Sequence, residues 1–212
     1  MKKSTACEKF KIYLLIRSQL RSTWLIEIMF YQITQYLKFL FKSTNQHGVH
    51  SPFVYDLITQ CFYDKTPYHS YQTISEYRKV LIKNKTKINI TDLGSGSHKN
   101  NSNMRTISEM AKHAGSTFSR ANLLYRLVQY FKSKNILELG TSLGITTAYL
   151  SSANKKASIT TIEGDSTIFN MAKSNFKKLG LKNVNIINSS FDKILPTILK
   201  NKFDLIFFDG NH

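Results

Sequence analysis

The sequence predicts an α/β fold: a parallel sheet built from alternating strands and helices, preceded by a helical amino-terminal region. Three observations carry this. From residue 135 onward, short β-branched or apolar runs alternate with amphipathic stretches of helical period. Three of those runs end in an acidic residue: Glu138, Glu163 and Asp209. Before residue 63 the apolar residues recur at steps of three and four, not two.

Composition narrows the function classes. The chain has 212 residues, 42% hydrophobic and 20% charged, which suits one ordinary domain or a domain with a helical extension. A disordered or low-complexity chain is excluded. Cys7 and Cys61 lie far apart, so neither a zinc finger nor a disulfide scaffold organises the fold. No apolar run approaches the roughly 20 residues of a membrane span. The net charge is +17, from 24 lysines and 6 arginines against 13 acids, and the lysines are spread along the chain. Nucleic-acid recognition favours clustered arginine, so a generally basic surface is the simpler reading.

Taken in chain order, residues 1–28 open with Lys2 and Lys3, but the apolar run Ile12–Ile16 is short and bracketed by Lys11 and Arg17. That is a poor secretory signal, and a cytoplasmic location is expected. Met29 offers an alternative start, which would make residues 1–28 a non-native leader. Leu25, Ile28, Met29, Ile33, Tyr36, Leu37, Leu40 and Phe41 predict a helix over 24–41. It is either a helix packed on its own domain, the simpler reading, or a membrane-surface or partner helix. The loop His47-Gly48-Val49-His50 follows, structural or substrate-facing, and lacks the neighbouring acids or cysteines of a metal site. Ser51 as N-cap and Pro52 in the first turn predict a helix over 53–62.

Two glycine turns then compete for a ligand. Ile88–Ile90 reads as a strand running into Asp92-Leu93-Gly94-Ser95-Gly96-Ser97, but only polar loop follows, then a modest helix over Met104–His113. The second turn is Glu138-Leu139-Gly140-Thr141-Ser142-Leu143-Gly144, led into by a helix over Ser116–Phe131 and the strand Ile136–Leu139. A helix, Ile145–Ser152, follows at once, and then the strand Ala157–Ile162 with Glu163 at its end. This is the strand–turn–helix–strand–acid order of a nucleotide-binding βαβ unit, in which the acid reaches the ribose hydroxyls. The cofactor is therefore expected at Gly140–Gly144, and the Asp92 turn becomes a loop. The spacing G-x-x-x-G does not match the G-x-G-x-x-G of a dinucleotide site, which disfavours an NAD-dependent oxidoreductase, and no phosphate-cradling lysine motif is present.

The alternation continues with a helix over Thr167–Leu179 stopped by Gly180, the strand Val184–Ile187, a helix over Asp192–Lys200 containing Pro196, and the apolar strand Phe203–Phe208. Asp209-Gly210-Asn211-His212 ends the sequence.

The glycine turn, Glu163 and Phe207-Phe208-Asp209-Gly210-Asn211-His212 together resemble the class I S-adenosylmethionine-dependent methyltransferases, whose sheet is Rossmann-like. Within them the closest likeness is to the catechol-type small-molecule O-methyltransferases. The segment His47–Phe53 is similar to a bacterial, Bacteroidetes-type branch of these proteins. The likeness covers residues 116–212.

That resemblance implies roles. Gly140, Thr141, Ser142 and Gly144 would line the methionine and ribose parts of S-adenosylmethionine. Glu138 would sit near its amino group and Glu163 on its ribose. Ser190 falls where the family carries an adenine-binding Asp, and Phe191 would supply an apolar wall. Asp209 would lie beside the methionine portion, and His212 would act as general base on an acceptor hydroxyl in an in-line displacement. Magnesium in some members uses ligands after a fifth strand; this sequence lacks them, so a divalent metal is not carried over.

The family's sheet has seven strands, of which the sequence supplies four. The expectation is a chain cut short, with the fourth strand an apolar edge open to homo-oligomerisation; substitution of the missing strands by the amino-terminal region is the alternative. The implied organisation is a leader (1–28), a helical cap (29–115) and a partial cofactor-binding domain (116–212). The implied function is methyl transfer to the oxygen of a small-molecule acceptor. A non-catalytic cofactor-binding module is the next reading. A nucleic-acid methyltransferase is less favoured, because Asp209–His212 does not match the Asn-Pro-Pro-aromatic sequence of amino-directed enzymes.

Overall fold

The computed structural model describes residues 27–43, 48–90, 104–113 and 116–210. The chain divides into two compact units, Met1–Tyr55 and Asp56–His212. The expected leader and the Asp92–Ser97 turn lie outside the described residues, apart from residues 27 and 28.

In the first unit, residues 27–42 form helix α1. Within this unit, Ile28, Met29, Ile33, Tyr36, Leu37, Leu40 and Phe41 form the expected apolar stripe of α1 and are exposed. Its period specifies a helix with a broad apolar arc, but a period names no partner for that arc. Helix α2 (Pro52–Asp56) starts at Pro52 as expected. The Ser51 carbonyl accepts from the Tyr55 amide at 2.9 Å. The chain then tightens differently, into a π-helical turn at Leu57–Phe62.

That turn already belongs to the second unit, and α3 (His69–Lys83), whose Ile74 and Leu81 are buried, follows it. A short hairpin-like pair follows: β1 (Lys87–Asn89) runs antiparallel to β2 (Met104–Thr106), with Ile88 opposite Arg105. The helix expected over Met104–His113 is therefore shorter, α4 (Ile107–His113), because its first three residues are taken by strand pairing. Thr106 caps it, its amide and hydroxyl both donating to Glu109 in a reciprocal first-turn arrangement. One apolar cluster joins Ile74 and Leu81 of α3, Ile107 and Met110 of α4, Ala121 and Tyr125 of α5 (Phe118–Tyr130), and Ala148 and Tyr149 of α6 (Ile145–Ala153). The compact unit thus crosses the boundary expected between residues 115 and 116.

The main sheet is parallel, and its strand order is β5-β4-β3-β6. The strands are β3 (Asn135–Leu139), β4 (Ser158–Glu163), β5 (Val184–Asn188) and β6 (Leu205–Phe208). Helices α6, α7 (Ser166–Lys178) and α8 (Phe191–Ile198) connect them. The chain steps outward twice, β3 to β4 to β5, and then returns across β3 to lay down β6. That reversal makes the carboxyl ends of β3 and β6 the switch point where such sheets bind ligands.

Alternation along the strands sorts the two faces. Ile136 and Ile159 pack with Val128 and Leu150 under α5 and α6. Leu137, Leu139 and Ile162 pack with Ile198 and Phe191 of α8. Glu138 shares its face with Ile136, and Thr161 with Ile159, so both point toward α6, into the core. β6 is an edge strand, and its Ile206 and Phe208, on the α8 face, are 43% and 61% exposed.

Candidate functional site

The turn after β3 has the backbone its glycines require. Gly140 has φ +102° and Gly144 φ +79°, both in the region that side chains disfavour. Ser142, with φ +49°, also takes a positive angle without being glycine. Space is as demanding as angle. A Cβ on Gly140 would fall 2.6 Å from the Gly210 amide nitrogen, and one on Gly144 would fall 2.3 Å from the Phe176 ring. Gly210 in turn lies under the Phe191 ring, 2.7 Å from where its own Cβ would be. The turn and the end of β6 therefore meet backbone to backbone, and the Asp209 amide donates to the Leu139 carbonyl at 2.9 Å.

Beneath this turn sits Glu138, completely buried. Its Oε2 accepts from the Thr147 hydroxyl at 2.5 Å and from the Thr161 hydroxyl at 2.6 Å. The Thr141 and Thr161 hydroxyls are 2.7 Å apart. Since Thr161 gives its proton to Glu138, Thr141 must donate to Thr161, and a relay runs from the turn into the core. Glu138 Oε1 is buried with no hydrogen-bond partner among the described residues. Burial pushes this carboxyl up to about 8; the two threonine hydroxyls oppose the shift, and the charges of Asp209 and Glu163 reinforce it.

Glu163 closes the other side. Its Oε2 accepts from the Ser142 amide at 2.8 Å and its Oε1 from the Asp165 amide at 3.0 Å. Burial raises its carboxyl above the ordinary range, with the two amides opposing. Asp165 caps α7 by accepting from the Ile168 amide at 2.8 Å. Asn188, at the end of β5, donates to the carbonyls of Glu163 and Gly164 at 2.8 and 3.2 Å, tying that loop to the sheet. Desolvation raises Asp209 as well, against the attraction of the Arg120 guanidinium.

The structure thus brings Glu138, Gly140, Thr141, Ser142, Gly144, Glu163 and Asp209 to one end of the sheet. Ser190 stands at the N-cap position of α8 without a side-chain cap bond, and Phe191 follows it against Gly210. His212 lies outside the described residues. Among the described residues there is no group of three or more His, Cys, Asp or Glu able to hold a metal ion.

Sequence reasoning missed Thr147 and Thr161. Their one signal is positional: Thr161 is opposite Glu138 in the β3–β4 register, and Thr147 lies one turn after Gly144.

A buried acid with an unpartnered oxygen, below a turn that needs glycine at positions 140 and 144, fits a ligand carrying a cationic or hydrogen-donating group. Comparison with known proteins agrees with the geometry. Residues 137–212 match the family model described as a methyltransferase domain. A protein-L-isoaspartate O-methyltransferase of Methanococcus vannielii is 34% identical over an alignment of 89 positions, and the match covers 37% of this chain and 43% of that protein. Among solved structures, an SAH-bound methyltransferase of Podospora anserina superposes with a TM-score of 0.51 at 19% identity, covering 80% of this chain and 61% of that one. An O-methyltransferase of Bacillus cereus in complex with SAH gives a TM-score of 0.47 at 19% identity, over 74% and 59% of the two chains. The chain spans less than half the length of the curated relative it matches. The fold is the Rossmann-like α/β fold of methyltransferases.

Proposed function

We propose that this chain, with a methyltransferase-type domain at residues 137–212, binds S-adenosylmethionine at the Gly140–Gly144 turn and serves methyl transfer to the oxygen of a small-molecule acceptor. The observation that carries the reading is the unpartnered Oε1 of buried Glu138 beneath a turn whose glycines meet the Gly210 backbone and the Phe176 ring. When bound, S-adenosylmethionine supplies an electrophilic methyl group. This chain's residues hold it and align its partner.

In this reading Glu163, already fixed by the Ser142 and Asp165 amides, keeps lone pairs for the ribose hydroxyls. Glu138 offers its free oxygen toward the cofactor's amino group. Thr141, Ser142 and Gly144 line the backbone against it, while Ser190 and Phe191 flank the adenine. Asp209 borders the methionine portion, and His212 takes the acceptor's proton. The isoaspartate O-methyltransferase among the relatives supports an oxygen acceptor.

No helix among the described residues is long and apolar enough to cross a membrane, and the buried free thiol of Cys61 suits a reducing, cytoplasmic compartment. Ile206 and Phe208, exposed on the α8 face of the sheet, support homo-oligomerisation, which light scattering would measure.

The test is calorimetric titration with S-adenosylmethionine, S-adenosylhomocysteine and NAD, on wild type and Glu163→Ala. Binding of the two adenosyl ligands, at least tenfold weaker in the variant, is expected. Folded protein that binds neither, or a variant indistinguishable from wild type, would sink the cofactor reading. RNA affinity persisting at physiological salt would redirect the acceptor assignment to nucleic acid.

A further inference from the structure

Tyr77 of α3 reaches the glycine turn from 66 residues upstream. Its hydroxyl donates to the Leu143 carbonyl at 2.8 Å. Leu143 is buried and stands between Ser142 and Gly144, the two adjacent positive-φ corners of the turn. On the same side, Asn175 of α7 faces the phenol, and Phe176 covers Gly144. Burial raises the phenol well above its ordinary range, so it remains a donor at any working pH. Tyr77 lies outside residues 137–212, to which the methyltransferase likeness belongs.

These contacts place the turn between two supports. In front, Glu163 takes the Ser142 amide at 2.8 Å. Behind, the Tyr77 hydroxyl donates to the Leu143 carbonyl, one residue beyond Ser142. A non-glycine residue at φ +49° persists only where its surroundings hold it. Glu163 holds the Thr141–Ser142 peptide and Tyr77 the Leu143–Gly144 peptide, so releasing either support frees one flank of the Ser142 corner to rotate beside the proposed cofactor site.

We propose that Tyr77 is a positioning residue for cofactor binding: its hydrogen bond to the Leu143 carbonyl fixes the Leu143–Gly144 peptide, next to the strained Ser142, in the shape that receives the adenosyl ligand. The amino-terminal helix α3 thereby sets the affinity of a site to which it contributes no contact. This inference rests on the cofactor reading above.

The experiment is titration of wild type and Tyr77→Phe with S-adenosylhomocysteine, beside Ile74→Val, which loosens the same helix without removing a hydrogen bond to the turn. Loss of one buried hydrogen bond predicts an affinity about five- to tenfold weaker for Tyr77→Phe. Ile74→Val should bind within twofold of wild type, although it too is less stable. Native circular dichroism at the assay temperature establishes that each variant is folded. Wild-type binding with Tyr77→Phe unchanged, or with both variants equally weakened, overturns the positioning role and leaves the cofactor reading standing. Absence of wild-type binding overturns the cofactor reading, and the inference with it. If Tyr77→Phe does not fold, hydrogen exchange on the ligand-free wild type decides. Protection of the Ser142 and Gly144 amides at the level of β3 is expected, and loop-like exchange there would refute a preformed turn.

Discussion

Replacing Glu138 by glutamine should make the pH dependence of stability shallower, by an amount that follows from burial of the carboxyl. Glu138 is fully buried, and its carboxyl is pushed up to about 8 from an ordinary 4.5. The sign follows from proton counting. Below pH 4.5 both the folded and the unfolded chain hold the proton, and the group contributes no pH dependence. Between pH 4.5 and 8 the folded chain keeps a proton that the unfolded chain has lost. Stability then falls as pH rises, by up to ~1.4 kcal/mol per pH unit. Above pH 8 the full penalty is in place. Glutamine carries no titratable proton, can still accept from Thr147 and Thr161, and escapes this loss. The stability of Glu138→Gln relative to wild type should therefore rise by about 2–3 kcal/mol between pH 5 and pH 7. Urea unfolding at pH 5, 6, 7 and 8, with equal slopes for the two proteins, measures it. Curves that run parallel to within about 0.5 kcal/mol would refute the claim that this carboxyl is buried and protonated in the ligand-free protein.

Three other substitutions test the packing around the site. Gly140→Ala places a Cβ 2.6 Å from the Gly210 nitrogen at φ +102°; a loss of roughly 2–4 kcal/mol and of adenosyl-ligand binding is expected in thermal melts and titration. Gly144→Ala meets the Phe176 ring at 2.3 Å, so Phe176→Ala should recover part of the lost stability in a double-mutant cycle; strictly additive effects would argue against that contact. Asn183 donates to the carbonyls of Ser151, Asn154 and Ala157 and accepts from the Ser151 hydroxyl, so Asn183→Ala should cost about 2–3 kcal/mol by chemical unfolding while leaving ligand affinity unchanged.

What could be read from the sequence was what local pattern encodes. The four parallel strands, their connecting helices and the chosen glycine turn are all set by period, β-branching and glycine placement, and the structure has them within a few residues of expectation. The short pair β1–β2 was hidden because three residues carry no period, and Met104–Thr106 reads equally well as the first turn of α4. At the site, Glu138 and Glu163 stood out as acids at strand ends. Thr147, Thr161 and Tyr77 did not, because a threonine in a strand or a tyrosine in a helix is unremarkable until register and packing bring it to a buried oxygen.

The stack of Gly140 on Gly210, and of Gly210 on the Phe191 ring, bears on the order in which the protein matures. The turn belongs to the first strand of the sheet to be synthesised, yet the backbone it rests on is made seventy residues later (140 to 210). Closing so distant a contact is entropically slow, so β3, β4 and β5 have time to assemble before β6 docks beside β3. On a ribosome, the ligand-receiving shape is completed only after β3, β4 and β5 have been made. Acquisition of adenosyl-ligand affinity by nascent chains would then mark the arrival of Gly210, and not the collapse of the core.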